Sequence, residues 1–220
     1  MRTMINTGKP SPRPRILLAD DHAVVLDGLR ALLETTYDVV GLVTDGRALV
    51  LEAPKLRPDV IVIDVSMPSL NGLDAAEQLR AIIPNAKFVF LTMQNDPNLA
   101  AAALRLGAVG FVLKHSAASE LLTAISEVMK GRSYVTPRLR PENWAVREAR
   151  AQQYSKELTC RQREVLQLLA EGRPMKEIAG ILNVSEKTIS FHKYHIMEQF
   201  NLKNNADVVL FALKQHLIPA

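Results

Sequence analysis

Apolar positions in the first 135 residues fall into short unbroken runs separated by longer stretches in which they recur every three or four places. The runs are Ile16–Ala19, Val39–Val43, Val60–Ile63, Phe88–Leu91 and Gly110–Leu113. Between them lie "VVLDGLRALLE", "LDAAEQLRAII", "PNLAAAALRLG" and "SELLTAISEVMK". Runs that are apolar throughout suit strands buried on both faces, and recurrence at three and four suits helices with one apolar side. Five such strand–helix units in succession predict an α/β domain with a five-stranded, doubly wound parallel sheet. Tyr134-Val135-Thr136-Pro137 closes that pattern. The next stretch, "PRLRPENWAVREARAQQYSKE", is polar and charged around Trp144, and reads as a linker, helical from Glu142 onward. From Leu158 only helical patterns remain, over 160–171, 175–182, 186–200 and 205–216. The expected organisation is a flexible leader over 1–13, an α/β domain over 14–136, a linker over 137–157 and a small all-α, four-helix domain over 158–220.

Composition narrows the class. The chain has 220 residues, 48% of them hydrophobic, enough for two cores. One cysteine, Cys160, excludes an intramolecular disulfide and a cysteine-rich metal site, and suits a reducing cytoplasm. It stands at a helix start, where a thiol can be slightly acidified; burial as a structural residue is the expected alternative. No run approaches the roughly 18 apolar residues of a membrane span, and "MRTMINTGKPSPRPR" lacks the apolar core of a signal peptide. A cytoplasmic protein with no membrane partner is expected. The net charge is +4 and unevenly placed: residues 1–136 hold fourteen basic and fourteen acidic side chains, residues 137–220 thirteen and nine. The excess favours a phosphate-bearing partner for the C-terminal part.

The strand ends carry the chemistry. In open parallel sheets ligands bind beyond the carboxyl ends of the strands. Asp20 and Asp21 follow the first strand, Asp64 the third, Thr92 the fourth and Lys114 the fifth. Each alone reads better as a solvated loop carboxylate, a threonine cap or a surface lysine. Together they form a set. Three converging carboxylates repel one another, and a hard divalent cation such as Mg²⁺ removes that cost while leaving room for a phosphate. Lys114 can hold a phosphoryl oxygen and the Thr92 hydroxyl can donate to another. Asp64, on the central strand, is the candidate nucleophile for an acyl phosphate.

"ILLADDHAVVLDGLRALLE", "PDVIVIDVSMPSLNGLDAAEQLR", "VFLTMQND" and "GAVGFVLKHSAASELLTAI" closely resemble the receiver domain of bacterial two-component response regulators, a flavodoxin-like fold. The resemblance implies that Asp64 accepts phosphate from a sensor histidine kinase. It further implies that Asp21 binds Mg²⁺ directly, Asp20 through water, and Ser66 through its main-chain carbonyl. Thr92 and Lys114 match the family's hydroxyl and lysine. Phe111 stands where the family keeps a rotamer switch, and as phenylalanine it can act only through packing.

In the C-terminal part, Thr159 with Gln162 forms a capping-box start, and Val165, Leu166, Leu168 and Leu169 make an apolar stripe that Gly172 can end. "MKEIAGIL", a turn at "NV" and Ser185 as cap of a longer helix make a helix-turn-helix pattern. At about 100° per residue, Ile189, Ile196 and Phe200 share the core side of that longer helix. Lys187, Phe191, Tyr194 and Glu198 take the opposite side, with Ser190 at the flank and Lys193 nearer the core. Exposed aromatics suit base edges and sugars, and Lys187, Thr188 and Lys176 could reach phosphates. The segment resembles the LuxR-type DNA-binding domain. With the receiver it makes a full-length match to NarL/FixJ-like response regulators, which implies base reading by Ser190, Phe191 and Tyr194. The last helix either dimerises the domain, as in that family, or packs on its own domain. Trp144 is expected between linker and domain, and His22, His192 and His195 are read as structural. The partners expected are the kinase, double-stranded promoter DNA, a second copy of the chain and RNA polymerase. The function is a switched transcription factor, not an enzyme. Two rivals remain: an aspartyl-phosphate phosphohydrolase, weakened because Ser66 stands where a second acid is needed, and a regulator that works without phosphorylation.

Overall fold

The computed structural model describes residues 13–106, 109–139 and 158–219. The first domain is a parallel sheet of β1 (Arg15–Ala19), β2 (Asp38–Val43), β3 (Val60–Asp64), β4 (Lys87–Thr92), β5 (Val109–Leu113) and β6 (Tyr134–Val135), in the order β2-β1-β3-β4-β5-β6. Helices α1 (Ala23–Leu33), α2 (Gly46–Leu56), α3 (Gly72–Ile82), α4 (Pro97–Leu104) and α5 (Ala117–Met129) connect the strands. All the strand pairs are parallel, and β3 lies between β1 and β4.

The strands send alternate side chains to two separate cores, the period-two geometry of a pleated strand. Leu17, Ile61, Ile63, Phe90 and Phe111 meet α2, α3 and α4 on one face, while Ile16, Leu18, Val62, Val89 and Val112 meet α1 and α5 on the other. Both faces being covered explains why the runs are apolar throughout. The sheet has six strands rather than the expected five. Tyr134 and Val135 pair with Gly110 and Phe111, adding a two-residue edge strand where the sequence suggested only the end of the pattern.

The second domain holds α6 (Cys160–Ala170), α7 (Met175–Leu182), α8 (Glu186–Gln199) and α9 (Asn205–Lys214). Thr159 and Gln162 make the reciprocal capping box, and Ser185 accepts from the Thr188 N–H at the start of α8. Asn183 turns the chain between α7 and α8 at φ 52°, in the left-handed region that asparagine tolerates. α9 packs on its own domain: Val208 and Ala212 are buried, and the Phe211 ring lies tilted against Phe200 with ring centroids 4.5 Å apart. Leu210 on the same helix is 56% exposed, so one stripe of α9 is left uncovered. Apart from residues 137–139, the linker lies outside the described residues, with Trp144 in it, as does the expected leader over 1–13 except for Arg13. No described helix is long and apolar enough to cross a membrane.

α6 also lies against the first domain. Arg163 pairs with Asp74 and Glu77 at 2.6 Å each, and Glu164 accepts from Arg47 at 3.2 Å and from Gln78 at 2.9 Å. Cys160, the first residue of α6, is exposed rather than buried, and partial burial still pushes its thiol up rather than acidifying it.

Candidate functional site

The carboxyl ends of β1, β3, β4 and β5 bring the expected groups to one place. Asp20, Asp21, His22 and Asp64 each offer a ligand atom, and these lie within 4.8 Å of one another. Lys114, the first residue past β5, places its ammonium 2.7 Å from Asp20 Oδ2 and 2.8 Å from Asp64 Oδ2. Asp20 is fully buried, Asp64 nearly so, and Asp21 faces solvent. Ser66 N–H turns back to donate to Asp64 Oδ1 at 3.2 Å, and the Thr92 hydroxyl accepts from the Gln94 N–H at 3.0 Å.

Local sequence explains this placement. β3 ends on Asp64, and the following loop reverses sharply: Gly72 N–H bonds to Val65 C=O at 2.9 Å, and Asn71 caps α3 by accepting from Asp74 N–H. A Cβ on Gly72 would fall 2.2 Å from the Asp64 carbonyl oxygen, so only glycine lets α3 start this close to the acidic strand end.

The electrostatics are unbalanced. Three carboxylates meet one ammonium. Burial pushes the Asp64 carboxyl up to about 6, against the hydrogen bond and charge of Lys114 that pull it down. Burial works against the Lys114 charge, but hydrogen bonds to Asp20 and Asp64 outweigh it and raise its pKa. Asp20 Oδ2 pairs with the ammonium yet is left without a well-directed hydrogen bond. A buried, under-satisfied carboxylate oxygen beside two further carboxylates is the donor set a hard divalent cation takes.

Phe111 is fully buried on β5 opposite Phe90, with ring centroids 6.4 Å apart. His22 reaches both members of the acidic pair, 2.8 Å to Asp21 Oδ1 and 3.2 Å to Asp20 Oδ1. Sequence reasoning passed over it. Its only signal was adjacency to the pair.

On α8, Ile189 and Ile196 are buried, while Phe191 and Tyr194 are each 65% exposed. Lys176 and Lys187 face solvent. Thr188 is half-buried, with its hydroxyl 2.9 Å from that of Ser185. Ser190 is half-buried too and directs its hydroxyl to Met175 Sδ, so in this conformation it is turned partly inward. Lys193 is engaged with Asn205. His195 meets Gln162, and burial, then Arg161 and His195, hold His192 below the usual histidine range.

Comparison with known proteins covers both domains. A response regulator receiver domain model matches residues 16–126, and one for bacterial regulatory proteins of the luxR family matches residues 156–212. The chain is 36% identical over 215 residues to the oxygen regulatory protein NreC of Staphylococcus epidermidis, covering 93% of this chain and 99% of that protein. It is 32% identical to the uncharacterized transcriptional regulatory protein YxjL of Bacillus subtilis over 211 residues, 93% and 97% of the two chains. Among solved structures, the RcsB response regulator of Salmonella typhimurium superposes with a TM-score of 0.65 at 32% identity, covering 93% of this chain and 99% of that one. An RcsB–DNA complex superposes with a TM-score of 0.53 at 33% identity, over 92% and 98%.

Proposed function

Since the chain belongs to the two-component response regulators that join a receiver domain to a LuxR-type DNA-binding domain, and so is a DNA-binding transcription regulator, we propose that a phosphoryl group on Asp64 switches it. The observation that carries this reading is the convergence of Asp20, Asp21, Asp64 and Lys114 at the carboxyl edge of the sheet. Asp20, Asp21 and Asp64, with the main-chain carbonyl of Ser66, would hold Mg²⁺, which when bound supplies charge that offsets the phosphoryl donor's.

The chain's own residues do the rest. An Asp64 carboxylate oxygen attacks the phosphorus of a phosphohistidine on a sensor kinase. The O–P bond forms as the N–P bond breaks, and the imidazole leaves with the electron pair. Lys114, already 2.8 Å from Asp64 Oδ2, offsets charge on the transferring group. Thr92 turns its hydroxyl to donate to a phosphoryl oxygen. Phe111 answers through packing alone, because its ring has no hydroxyl to bond.

The acyl phosphate then shifts a pre-existing equilibrium between domain arrangements. Two DNA-binding domains pair on adjacent half-sites of a promoter in the cytoplasm, with RNA polymerase as the next partner. Phe191, Tyr194 and Ser190 read bases, and Lys176, Lys187 and Thr188 meet phosphates. Incubation with acetyl phosphate and Mg²⁺ tests the first step. One phosphoryl group per chain is expected, and none in Asp64→Asn. Multiple turnover would favour a phosphohydrolase instead, and no labelling a regulator that works without phosphate.

A further inference from the structure

Lys114 stands not on a strand but on the tight turn that follows one, Lys114–Ser116, between β5 and α5. That turn is fastened at both ends to a single side chain from farther along the sequence. β6 pairs with β5 only at Tyr134 and Val135, opposite Gly110 and Phe111. Just beyond that short ladder, the Thr136 N–H donates to the Phe111 carbonyl at 3.0 Å. Thr136 Oγ1 accepts from the Leu113 N–H at 3.2 Å, at the residue before the turn. The same hydroxyl donates to Glu120 Oε2 at 2.7 Å, in the first turn of α5 just past it. Tyr134 adds its own hydroxyl to Glu120 Oε2 at 3.0 Å. On its other side Leu113 lies opposite Thr92 in the ladder with β4. Thr136 is 1% exposed and Leu113 fully buried, so water does not compete for these bonds. A hydroxyl has one proton to give; the Glu120 carboxylate takes it, and a lone pair is left for the Leu113 N–H.

Resting on the phosphoacceptor reading above, we propose that Thr136 is a positioning residue for Lys114. By tying Leu113 to Glu120 it holds the turn that aims the ammonium, and so sets the grip of Lys114 on a phosphoryl group at Asp64.

The physical reason is the nature of the lysine side chain, a point charge on a long and rotatable stem. Ion pairs to Asp20 at 2.7 Å and Asp64 at 2.8 Å locate the ammonium as long as those oxygens are turned to it. Once Asp64 carries a phosphoryl group, the ammonium must meet a new oxygen, and the backbone from which the stem springs decides whether it does. That backbone is fixed by the chain of bonds from the Leu113 N–H through the Thr136 hydroxyl to the Glu120 carboxylate. Its last bond is charge-assisted, and bonds in such a chain polarise one another. Without the hydroxyl, the buried Leu113 N–H loses its acceptor and the end of β5 is no longer tied to the start of α5. The oxygens proposed for the cation, on Asp20, Asp21, Asp64 and the Ser66 carbonyl, follow other strands and do not depend on this bridge.

Calorimetry on the full chain separates this role from a general loosening, with beryllofluoride as a reversible mimic of the phosphoryl group. Thr136→Val keeps the shape and removes the hydroxyl, whereas Thr136→Ser keeps the hydroxyl. With Mg²⁺ present, Thr136→Val is expected to bind beryllofluoride about tenfold more weakly than wild type, and Thr136→Ser as wild type does. Glu120→Gln, at a half-buried position that tolerates change better, should shift affinity the same way by a smaller factor. Mg²⁺ alone should bind all four chains equally. Wild-type beryllofluoride affinity in Thr136→Val or in Glu120→Gln overturns the assignment and leaves the phosphoacceptor reading standing. An equal loss of Mg²⁺ affinity also overturns it, since the pocket itself would then have loosened, and so does a full loss in Thr136→Ser. A wild-type chain that takes up no beryllofluoride overturns both readings.

Discussion

Asp64 sits where its own charge is disfavoured. Burial raises its carboxyl to about 6 from an ordinary 3.8 even with Lys114 against it, because the desolvation penalty falls on the ionised form. The folded state therefore holds this proton more tightly than the unfolded chain does. In metal-free protein the resulting stabilisation is fully present below about pH 4 and is lost as the pH rises through about 6. Carbon NMR of the side chain, with divalent cations removed, should place its titration near 6. Asp64→Asn keeps the shape and removes the charge, so at pH 7 it should raise metal-free stability by roughly 3 kcal/mol in urea unfolding. A variant no more stable than wild type at that pH would mean that the pocket does not penalise the charge, and the case for a cation would weaken with it. Asp64 was legible in the sequence because an apolar run ended abruptly on a carboxylate. His22 was not, since a histidine in a loop reads the same whether or not it reaches its neighbours.

Elements differ in how plainly the chain announces them. The two faces of α8 followed from 100° per residue: Ile189 and Ile196 went inward, and Phe191 and Tyr194 outward. β6 escaped because two residues carry no period, and only pairing with Gly110 and Phe111 makes them a strand. The buried Glu164 and Gln167 of α6 escaped for another reason. Glu164 and Gln167 stand outside the apolar stripe and carry no local signal of burial, because their partners in the first domain lie some 86 to 117 residues away. The outward aromatics make a specific expectation. Tyr194→Ala should lose discrimination between promoter and unrelated DNA more than general affinity, in competition binding at fixed salt; equal loss on all DNA would make Tyr194 a backbone contact. The start of α2 makes another. A Cβ on Gly46 would lie 1.9 Å from the Leu70 carbonyl oxygen, and no side-chain rotation relieves a clash with backbone. Gly46→Ala should cost about 1–3 kcal/mol or more by overpacking against the Asp64 loop. Gly28→Ala on α1 meets nothing within 4 Å and should be stabilising by about 0.5–1 kcal/mol through helix propensity. Denaturant midpoints of the pair separate a steric cost from a general intolerance of substitution.

The molecule as a whole divides its charge by task. The part through residue 136 is neutral in formal count, and the excess of +4 lies beyond it, where Lys176 on α7 and Lys187 on α8 are exposed. Attraction to the phosphate backbone releases counterions, so each lysine truly seated on a phosphate adds close to one unit to the slope of log affinity against log salt. A neutral receiver should add nothing, and its role on DNA would be to set the spacing of two readers rather than to hold the duplex. Lys176→Gln and Lys187→Gln are each expected to lower the salt slope by about one, uniformly on promoter and unrelated DNA. Lys55→Gln, an exposed change on α2 of the receiver, should leave the slope where it was. Binding isotherms between low and moderate salt decide this. A drop in slope for Lys55→Gln equal to the others would put the receiver itself on the phosphates. The division of labour would then fail, because the switch domain could not move away from the reader without weakening the grip on DNA.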